Sequence, residues 1–505
     1  MYLGQLTTYN IMKKTNMNTK YIWLLIILIG FTACNDVEDV LADNNAQVTT
    51  EMLPELNSGS ADFSNYVALG ASFTSGFTDN ALFIASQENS FPNILSKEFT
   101  KVNGGSFNQP LMSDNFGGLA VAGNRITNPR LVFGGSGPVA LESIIGPVTV
   151  GTDIALNNPT GPFQNLGVPG AKSFHLLANG YGNIANFPAA ANPYAVRLTG
   201  STPDASIIEL AMAQNPTFFT LSEIGGNDVL GYATSGGDGS NPITDTTMFN
   251  GAFNALVSTL TSGGAKGAVT NVPYITDLPH FTTVPYNPVP LDAATSGLLN
   301  AGYAQYNGGL QLALANDLID ADEAAARTIM FSASANNTMV VIDENLTDLS
   351  GLGLPNYRPS TASDLFVLPL SSLIPEGYGT QIPLDDKWVL TPEEQEEIKN
   401  ATDAYNDTIS SVASSNENIA LVDLNSILQE ATINGIVFDN YTLQTSLVTG
   451  GLVSLDGIHL TARGYAYMAN KFLETIDAEF GSNFIASGNV AKAGDYPTNY
   501  SPLLQ

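Results

Sequence analysis

Short apolar runs alternate along the chain with longer amphipathic stretches. Five runs have the length of buried strands: residues 66–70, 218–224, 268–275, 339–343 and 419–425. Apolar positions at helical spacing occupy residues 249–260, 291–318 and 391–413. The last stretch opens with Thr391-Pro392-Glu393-Glu394, a capping box with proline at the first helical position. Strands that alternate with helices predict a parallel α/β sheet.

Two stretches interrupt this alternation and are interpreted as insertions. Residues 103–165 are rich in Gly, Asn and Pro but contain the apolar runs 131–135 and 137–150, which predict short β-hairpins. Residues 344–390 are loop-like, with many turn residues. The hairpins of the first insertion either form a wall of a substrate pocket or pack on a small core of their own. The sequence leaves both possibilities open.

The N-terminus has the pattern of an export signal. Residues 1–33 hold three lysines and no acidic residue, and the eleven-residue apolar run from Tyr21 to Phe31 is shorter than the ~20 residues that span a bilayer. Small residues then precede Cys34, and Phe31-Thr32-Ala33-Cys34 resembles a bacterial lipobox. We therefore predict a lipoprotein signal over residues 1–33, lipidation at Cys34, and anchoring to the outer membrane or cell surface. Residues 34–62, acidic and Asn-rich, are predicted to be a flexible tether.

Charge and cysteine content exclude several classes of function. The chain has 17 basic and 47 acidic residues, and removal of the signal makes its net charge of −30 more negative by three. Nucleic-acid binding and electrostatic docking on anionic lipid both depend on Lys and Arg, so neither is expected, and the lipid anchor is the predicted membrane contact. Cys34 is the single cysteine, which excludes an internal disulfide. No EF-hand spacing or His/Cys cluster is present, so no metal is predicted.

Four separated pieces contain residues suited to acyl transfer. They are Gly70–Gly76 with Ser72 after the first strand, the Gly-rich Asn165–Ala171, the tetrapeptide Gly225-Gly226-Asn227-Asp228, and Asp456-Gly457-Ile458-His459. A serine at the carboxyl end of a strand faces the crevice in which open α/β sheets bind ligands. Taken singly, the first piece is better explained by a helix cap and the second by an ordinary turn. The tetrapeptide is more specific, although a turn without a function would also explain it.

Histidine is the usual base of a serine hydrolase, and the chain contains three histidines. His459 follows Asp456 by three residues, which would let that acid hold its tautomer, and His280 follows Asp277 at the same spacing. His175 and His280 are expected to be structural or surface residues.

Together, and in this order, the four pieces resemble the conserved blocks of the SGNH/GDSL hydrolases. The resemblance implies that Ser72 is the nucleophile and that Asp456 and His459 complete the triad. It also implies an oxyanion hole built from the N–H groups of Ser72 and Gly170 and the side-chain amide of Asn227. Ala71 stands where the family usually has an Asp, so altered support of the serine turn is expected.

The same resemblance implies a three-layer α/β/α sandwich around a flavodoxin-like, mostly parallel sheet of about five strands. One hydrolase domain would cover residues 63–485, with insertions at about 103–165 and 344–390, followed by a C-terminal tail at 486–505. No cofactor or metal is implied.

The expected function is a secreted, lipid-anchored serine hydrolase that cleaves carboxylic esters of acyl lipids or small alcohols. Two alternatives stay open: an esterase that removes acetyl groups from polysaccharides, and a surface binding lipoprotein that has lost catalysis.

Overall fold

The computed structural model describes residues 53–504. The predicted signal, Cys34 and most of the tether lie outside the described residues. From Glu55 onward the chain forms one compact unit. Within residues 53–504, no helix combines the length and apolar character that a bilayer span requires.

A five-stranded parallel sheet lies at the centre of this unit. Its strands are β1 (Tyr66–Gly70), β6 (Asn165–Gly167), β7 (Phe218–Ser222), β8 (Lys266–Thr270) and β13 (Ile419–Val422). They are ordered β13-β8-β7-β1-β6, and every pairing is parallel. Counted along the chain from the β6 edge, this order is 2-1-3-4-5, the doubly wound arrangement of flavodoxin-like folds. The predicted fold class is confirmed.

One predicted strand is wrong and one was missed. Residues 339–343 do not join the central sheet, because β9 (Val340–Ile342) pairs antiparallel with β10 (Tyr357–Pro359). The missing central strand is β6, three residues long and at the sheet edge, inside a stretch whose sequence indicates a turn. So short a strand leaves no periodic pattern to detect.

Helices cover both faces of the sheet, which completes the α/β/α layers. The helices of the described residues, including those of the insertions, are α1 (Ser72–Ser75), α2 (Ile84–Glu88), α3 (Phe91–Phe99), α4 (Leu141–Ile145), α5 (Pro193–Thr199), α6 (Ile207–Met212), α7 (Gly226–Thr234), α8 (Thr246–Thr261), α9 (Pro279–Thr282), α10 (Ala293–Ala315), α11 (Ala321–Arg327), α12 (Pro392–Ser414), α13 (Leu424–Ile433) and α14 (Ala462–Phe480). On one face, α3 packs against α14 with Phe91 stacked on Phe472. Elsewhere, α8 packs against α12 with Phe249 stacked on Tyr405. The predicted capping box opens α12, where Thr391 accepts from the N–H of Glu394.

The first insertion, residues 103–165, contains two hairpins: β2 (Ala120–Val121) with β3 (Asn124–Arg125), and β4 (Leu131–Phe133) with β5 (Pro138–Ala140). The hairpin predicted from residues 131–150 is therefore confirmed in its first half. Met112, Leu119 and Ile154 form a small core with Leu82 and Val196, which lie outside the insertion.

The second insertion is longer than predicted. After α9, residues 283–390 form two further apolar clusters, centred on α10 with β9 and on the pair β11 (Leu365–Phe366) and β12 (Val389–Leu390). The predicted helix at 291–318 is confirmed as α10, but it packs on this insertion's own core. A small hairpin, β14 (Ile436–Phe438) with β15 (Tyr441–Leu443), lies between α13 and the end of the chain.

The folded unit extends beyond both predicted bounds of the hydrolase domain, residues 63 and 485. Asn57 N–H donates to Asn483 Oδ1 at 2.8 Å, Ser60 N–H donates to the Phe480 carbonyl at 2.8 Å, and Ala61 is buried. In the C-terminal tail, buried Tyr500 contacts the ring of Phe83 edge-on. Apolar and hydrogen-bonding groups on both flanking segments thus belong to the folded unit.

Candidate active site

The candidate site lies at the carboxyl ends of β1 and β7, the neighbouring strands between which the strand order reverses. This switch point is where doubly wound sheets bind ligands. Ser72 follows β1 by two residues and opens α1, and its side chain is buried. Gly167 of β6 lets α1 come this close, because a Cβ there would lie 2.4 Å from Ser75 N.

The hydroxyl of Ser72 is held by an acid that the sequence did not single out. Ser72 Oγ donates to Glu223 Oε1 at 2.9 Å, and Phe73 N–H donates to Glu223 Oε2 at 2.7 Å. Glu223 follows β7 directly, with a φ of 64° that is rare for a residue other than glycine. Its N–H donates to Thr270 Oγ1 at 2.8 Å, which ties it to the end of β8. One carboxylate therefore binds both the hydroxyl and the backbone of the serine turn.

Burial and the neighbouring groups shift the pKa of Glu223 in opposite directions. Burial raises the pKa of Glu223 to about 7, against the lowering effect of the Phe73 N–H and of the nearby His459 charge. Within the described chain, Glu223 is the only hydrogen-bond partner of Ser72 Oγ, so the serine is not hydrogen-bonded to His459 in this conformation.

Asp456 and His459 form a tightly bonded turn. Asp456 Oδ2 lies 2.9 Å from His459 Nδ1, and Oδ1 accepts from the N–H groups of His459 at 2.9 Å and Ile458 at 2.8 Å. Burial alone would raise the pKa of Asp456, but the His459 charge and these bonds hold it well below its usual range. Burial would likewise lower the pKa of His459, but the Asp456 charge and hydrogen bond raise it overall. The geometry leaves Nε2 as the free ring nitrogen.

The loop that follows Ser72 fastens this turn to the serine side of the site. Asn80 N–H donates to Asp456 Oδ2 at 2.7 Å, and Thr78 Oγ1 donates to the Leu460 carbonyl at 2.9 Å. Phe77 from the same loop packs against the imidazole of His459, with ring centroids 4.7 Å apart. The predicted serine and histidine pieces are thus brought together, although they are almost 400 residues apart.

Asp79 in this loop is a second acid that sequence reasoning missed. Its Oδ1 accepts from Leu455 N–H at 3.1 Å, and its own N–H donates to Ser454 Oγ at 3.1 Å. Burial raises the pKa of Asp79 to about 7, and the Asp456 charge adds to that rise. No motif marks Asp79 or Glu223 in the sequence, since each is defined by a contact with a distant segment.

The two predicted oxyanion pieces also meet. Asn227 lies in the first turn of α7, and its Nδ2 donates to the Ala171 carbonyl at 3.0 Å. Asp228, buried beside it, accepts from Ser173 N–H at 2.9 Å and from Ser173 Oγ at 2.7 Å. Gly170 lies in the turn three residues after β6, exposed and with a φ of 78°. The turn after β6 and the start of α7 are therefore bonded side by side.

The two other histidines have structural surroundings. His175 stacks on Tyr181 with centroids 4.6 Å apart, and burial lowers its pKa to about 4. His280 lies beside the Asp456–His459 turn, where its N–H donates to the Gly457 carbonyl at 3.0 Å. A Cβ at Gly457 would lie 2.7 Å from His280 N, so this approach requires glycine.

An apolar cavity opens at the site. Phe73, Glu223, Gly226, Ile458 and Leu460 line its inner end, and Leu278, Leu424, Ile427, Leu428 and Met468 belong to its apolar wall. No lining residue comes from residues 103–165. The first insertion therefore does not line this cavity, and its residues Met112, Leu119 and Ile154 pack instead in a small core that they share with Leu82 and Val196.

Among residues 53–504, no group of three or more His, Cys, Asp or Glu side chains is arranged to hold a metal ion. A scan against protein-family models, a search of curated proteins and a search of solved structures each find no match to this chain.

Proposed function

We propose that this protein is a serine hydrolase of carboxylic esters, with the SGNH/GDSL type of catalytic machinery. One observation carries the proposal: Ser72 and the bonded pair Asp456–His459 lie at one end of the sheet, fastened together by residues 78–80. The side-by-side bonding of the Gly170 and Asn227 turns supports an oxyanion hole at the same edge. Neither the surface-binding nor the polysaccharide alternative accounts better for this set.

In the proposed reaction, the Ser72 hydroxyl turns from Glu223 to Nε2 of neutral His459, which removes its proton as Oγ attacks the ester carbonyl. Asp456 stabilises the imidazolium that forms. The N–H groups of Ser72 and Gly170 and the amide of Asn227 stabilise the oxyanion. His459 then protonates the leaving alcohol, and water, activated by the same imidazole, hydrolyses the acyl-enzyme and regenerates Ser72.

Glu223 has the role of a positioning residue in this proposal. Its Oε2 holds the serine turn through Phe73 N–H, and its charge raises the pKa of His459. The chain carries Ala71 where the resembled family usually has an acid, so Glu223 would supply from β7 the carboxylate that the serine turn itself lacks.

The deciding test is covalent labelling by a fluorophosphonate probe, combined with hydrolysis of p-nitrophenyl esters. We expect the wild type to be labelled and active and Ser72→Ala to be neither, with an unchanged circular-dichroism melt. Ser75→Ala, one serine further along the same turn, is the matched control and should remain labelled. An unlabelled, inactive wild type would favour the binding lipoprotein, whereas activity confined to acetylated xylan would favour the polysaccharide esterase.

Export and lipidation at Cys34 remain part of the proposal. Mass spectrometry of the mature protein should find a lipidated Cys34 at its N-terminus, and Cys34→Ser should release the protein from the membrane fraction. An unmodified Cys34 would remove the anchor without affecting the proposed chemistry.

A further inference from the structure

We infer that the apolar cavity beside Ser72 binds the acyl chain of the ester, so that the enzyme prefers aliphatic acyl groups longer than acetyl. This inference rests on the proposed function and adds the substrate class.

The first argument is the position of the cavity relative to the reacting atoms. Its inner lining consists of sequence neighbours of the candidate catalytic residues: Phe73 follows Ser72, Gly226 precedes Asn227, and Ile458 and Leu460 flank His459. Glu223, also in the lining, bonds the Ser72 hydroxyl. A carbonyl carbon attacked by Ser72 Oγ would therefore lie at the inner end of the cavity, with its substituent directed along it.

The second argument is the chemistry of the wall. Apart from Glu223 at the inner end, the residues that line the cavity have no charged side chain. Leu424, Ile427 and Leu428 come from α13, Leu278 precedes α9, and Met468 comes from α14, so three separate segments present aliphatic groups to one space. A sugar would leave its hydroxyls unpaired here, and an alkyl chain loses no hydrogen bond on entering.

The third argument is the kind of lining. Small-molecule pockets are mostly apolar, with a few polar groups that fix orientation. The lining of this cavity is mostly apolar, and the Glu223 carboxylate and the Tyr467 hydroxyl are polar groups on it. An ester with its carbonyl at Ser72 and its acyl chain in the cavity would place its polar group beside the polar residues and its apolar group against the apolar wall.

The experiment measures kcat/KM for p-nitrophenyl esters from acetate to dodecanoate on the full-length protein. Each added methylene that enters an apolar cavity should raise kcat/KM by about fourfold until the cavity is filled. Ile427→Trp narrows the cavity from α13, and the ratio of octanoate to acetate activity should fall at least tenfold. Ile433→Trp adds the same ring at an exposed position on the same helix and should leave the ratio unchanged.

Ile427→Ala covers the case in which the tryptophan disturbs folding. The smaller side chain enlarges the cavity, so the chain-length optimum should move to longer esters. A wild type that prefers acetate, or an optimum and a ratio that neither Ile427 variant moves, would overturn the inference while leaving the proposed hydrolase intact. A wild type that cleaves no ester and takes no fluorophosphonate would instead remove the proposed function, and the inference with it.

Discussion

The two halves of the candidate site are built in different ways. Asp456 and His459 are three residues apart, and one turn supplies most of the bonds that hold them, including N–H groups of residues 458 and 459. Ser72 and Glu223 are 151 residues apart and meet only because β1 and β7 are neighbours in the sheet. A local turn leaves its pattern in consecutive residues, whereas a pair made by strand order does not. The sequence motifs therefore reveal only part of the residues that form the candidate site.

The largest expected effect belongs to the local half. His459→Ala should lower kcat by on the order of 10⁶ and Asp456→Asn by about 10⁴, as the corresponding losses do in serine proteases, because the base is lost in the first and only misoriented in the second. Stopped-flow or steady-state rates with a p-nitrophenyl ester would measure both. The reverse ranking would mean that His459 is not the base.

The oxyanion side should show a smaller effect. Asn227→Ala removes one donor and should cost roughly 10²–10³ in kcat with a smaller change in KM. Asn254→Ala, an exposed asparagine on α8, is the control and should behave as the wild type. If kcat for Asn227→Ala hardly moves, the Asn227 amide serves only its bond to the Ala171 carbonyl.

The long-range half should show a smaller loss still, with a pH signature. Glu223→Gln keeps the shape but removes a charge and a charge-assisted hydrogen bond, so kcat/KM should fall about ten- to a hundredfold. Activity needs neutral His459 and is lost as the pH falls through its pKa. Because the Glu223 charge raises that pKa, the acidic limb of the pH profile should move to lower pH in the variant.

The charges of Asp456 and Asp79 still raise the pKa of His459 in Glu223→Gln. The acidic limb of the pH profile should therefore move to lower pH but remain present. Glu397→Gln, at the exposed bond with Tyr232, is the control and should leave the limb in place. A loss of rate with no movement of the limb would reduce Glu223 to a structural support of the serine turn.

The smallest effect concerns the first insertion. Phe133 and Ile144 are 41% and 51% exposed, and neither lines the cavity. Phe133→Ser and Ile144→Ser should therefore change the octanoate-to-acetate ratio by less than about twofold, within the usual range of surface substitutions. A marked shift of preference toward short esters would indicate that the first insertion does contact the acyl chain.

The parts of the fold that could be predicted from the sequence are those with a local pattern, and the parts that could not depend on contacts between distant segments. The strands at 66–70, 218–222 and 419–422 are continuous apolar runs, and the helices at 246–261 and 392–414 keep strong periodicity, so the fold class could be predicted. β6 could not, because it is three residues long within a Gly-rich stretch. Residues 340–342 have the composition of a central strand but pair inside the second insertion, a choice made by tertiary packing.

The site divides in the same way. Ser72, Asn227, Asp456 and His459 stand in recognisable motifs, and the structure groups their segments at one sheet edge. Glu223 and Asp79 are ordinary acids in the sequence, and only burial against the serine turn and the Ser454–Leu455 backbone distinguishes them. The cavity wall was likewise hidden, since its residues come from α13, α14 and the segment before α9.

The close approach of His280 to Gly457 has an evolutionary consequence. His280 stands in α9, which leads into the second insertion, and its backbone leaves no room for a side chain at position 457. The sequence of the Asp456–His459 turn therefore cannot change independently of the segment before the insertion. Among homologous sequences, position 457 should depart from glycine only where the segment around position 280 also changes, while the insertion beyond α9 is free to vary in length. An alignment in which 457 varies and the α9 segment stays constant would contradict this coupling.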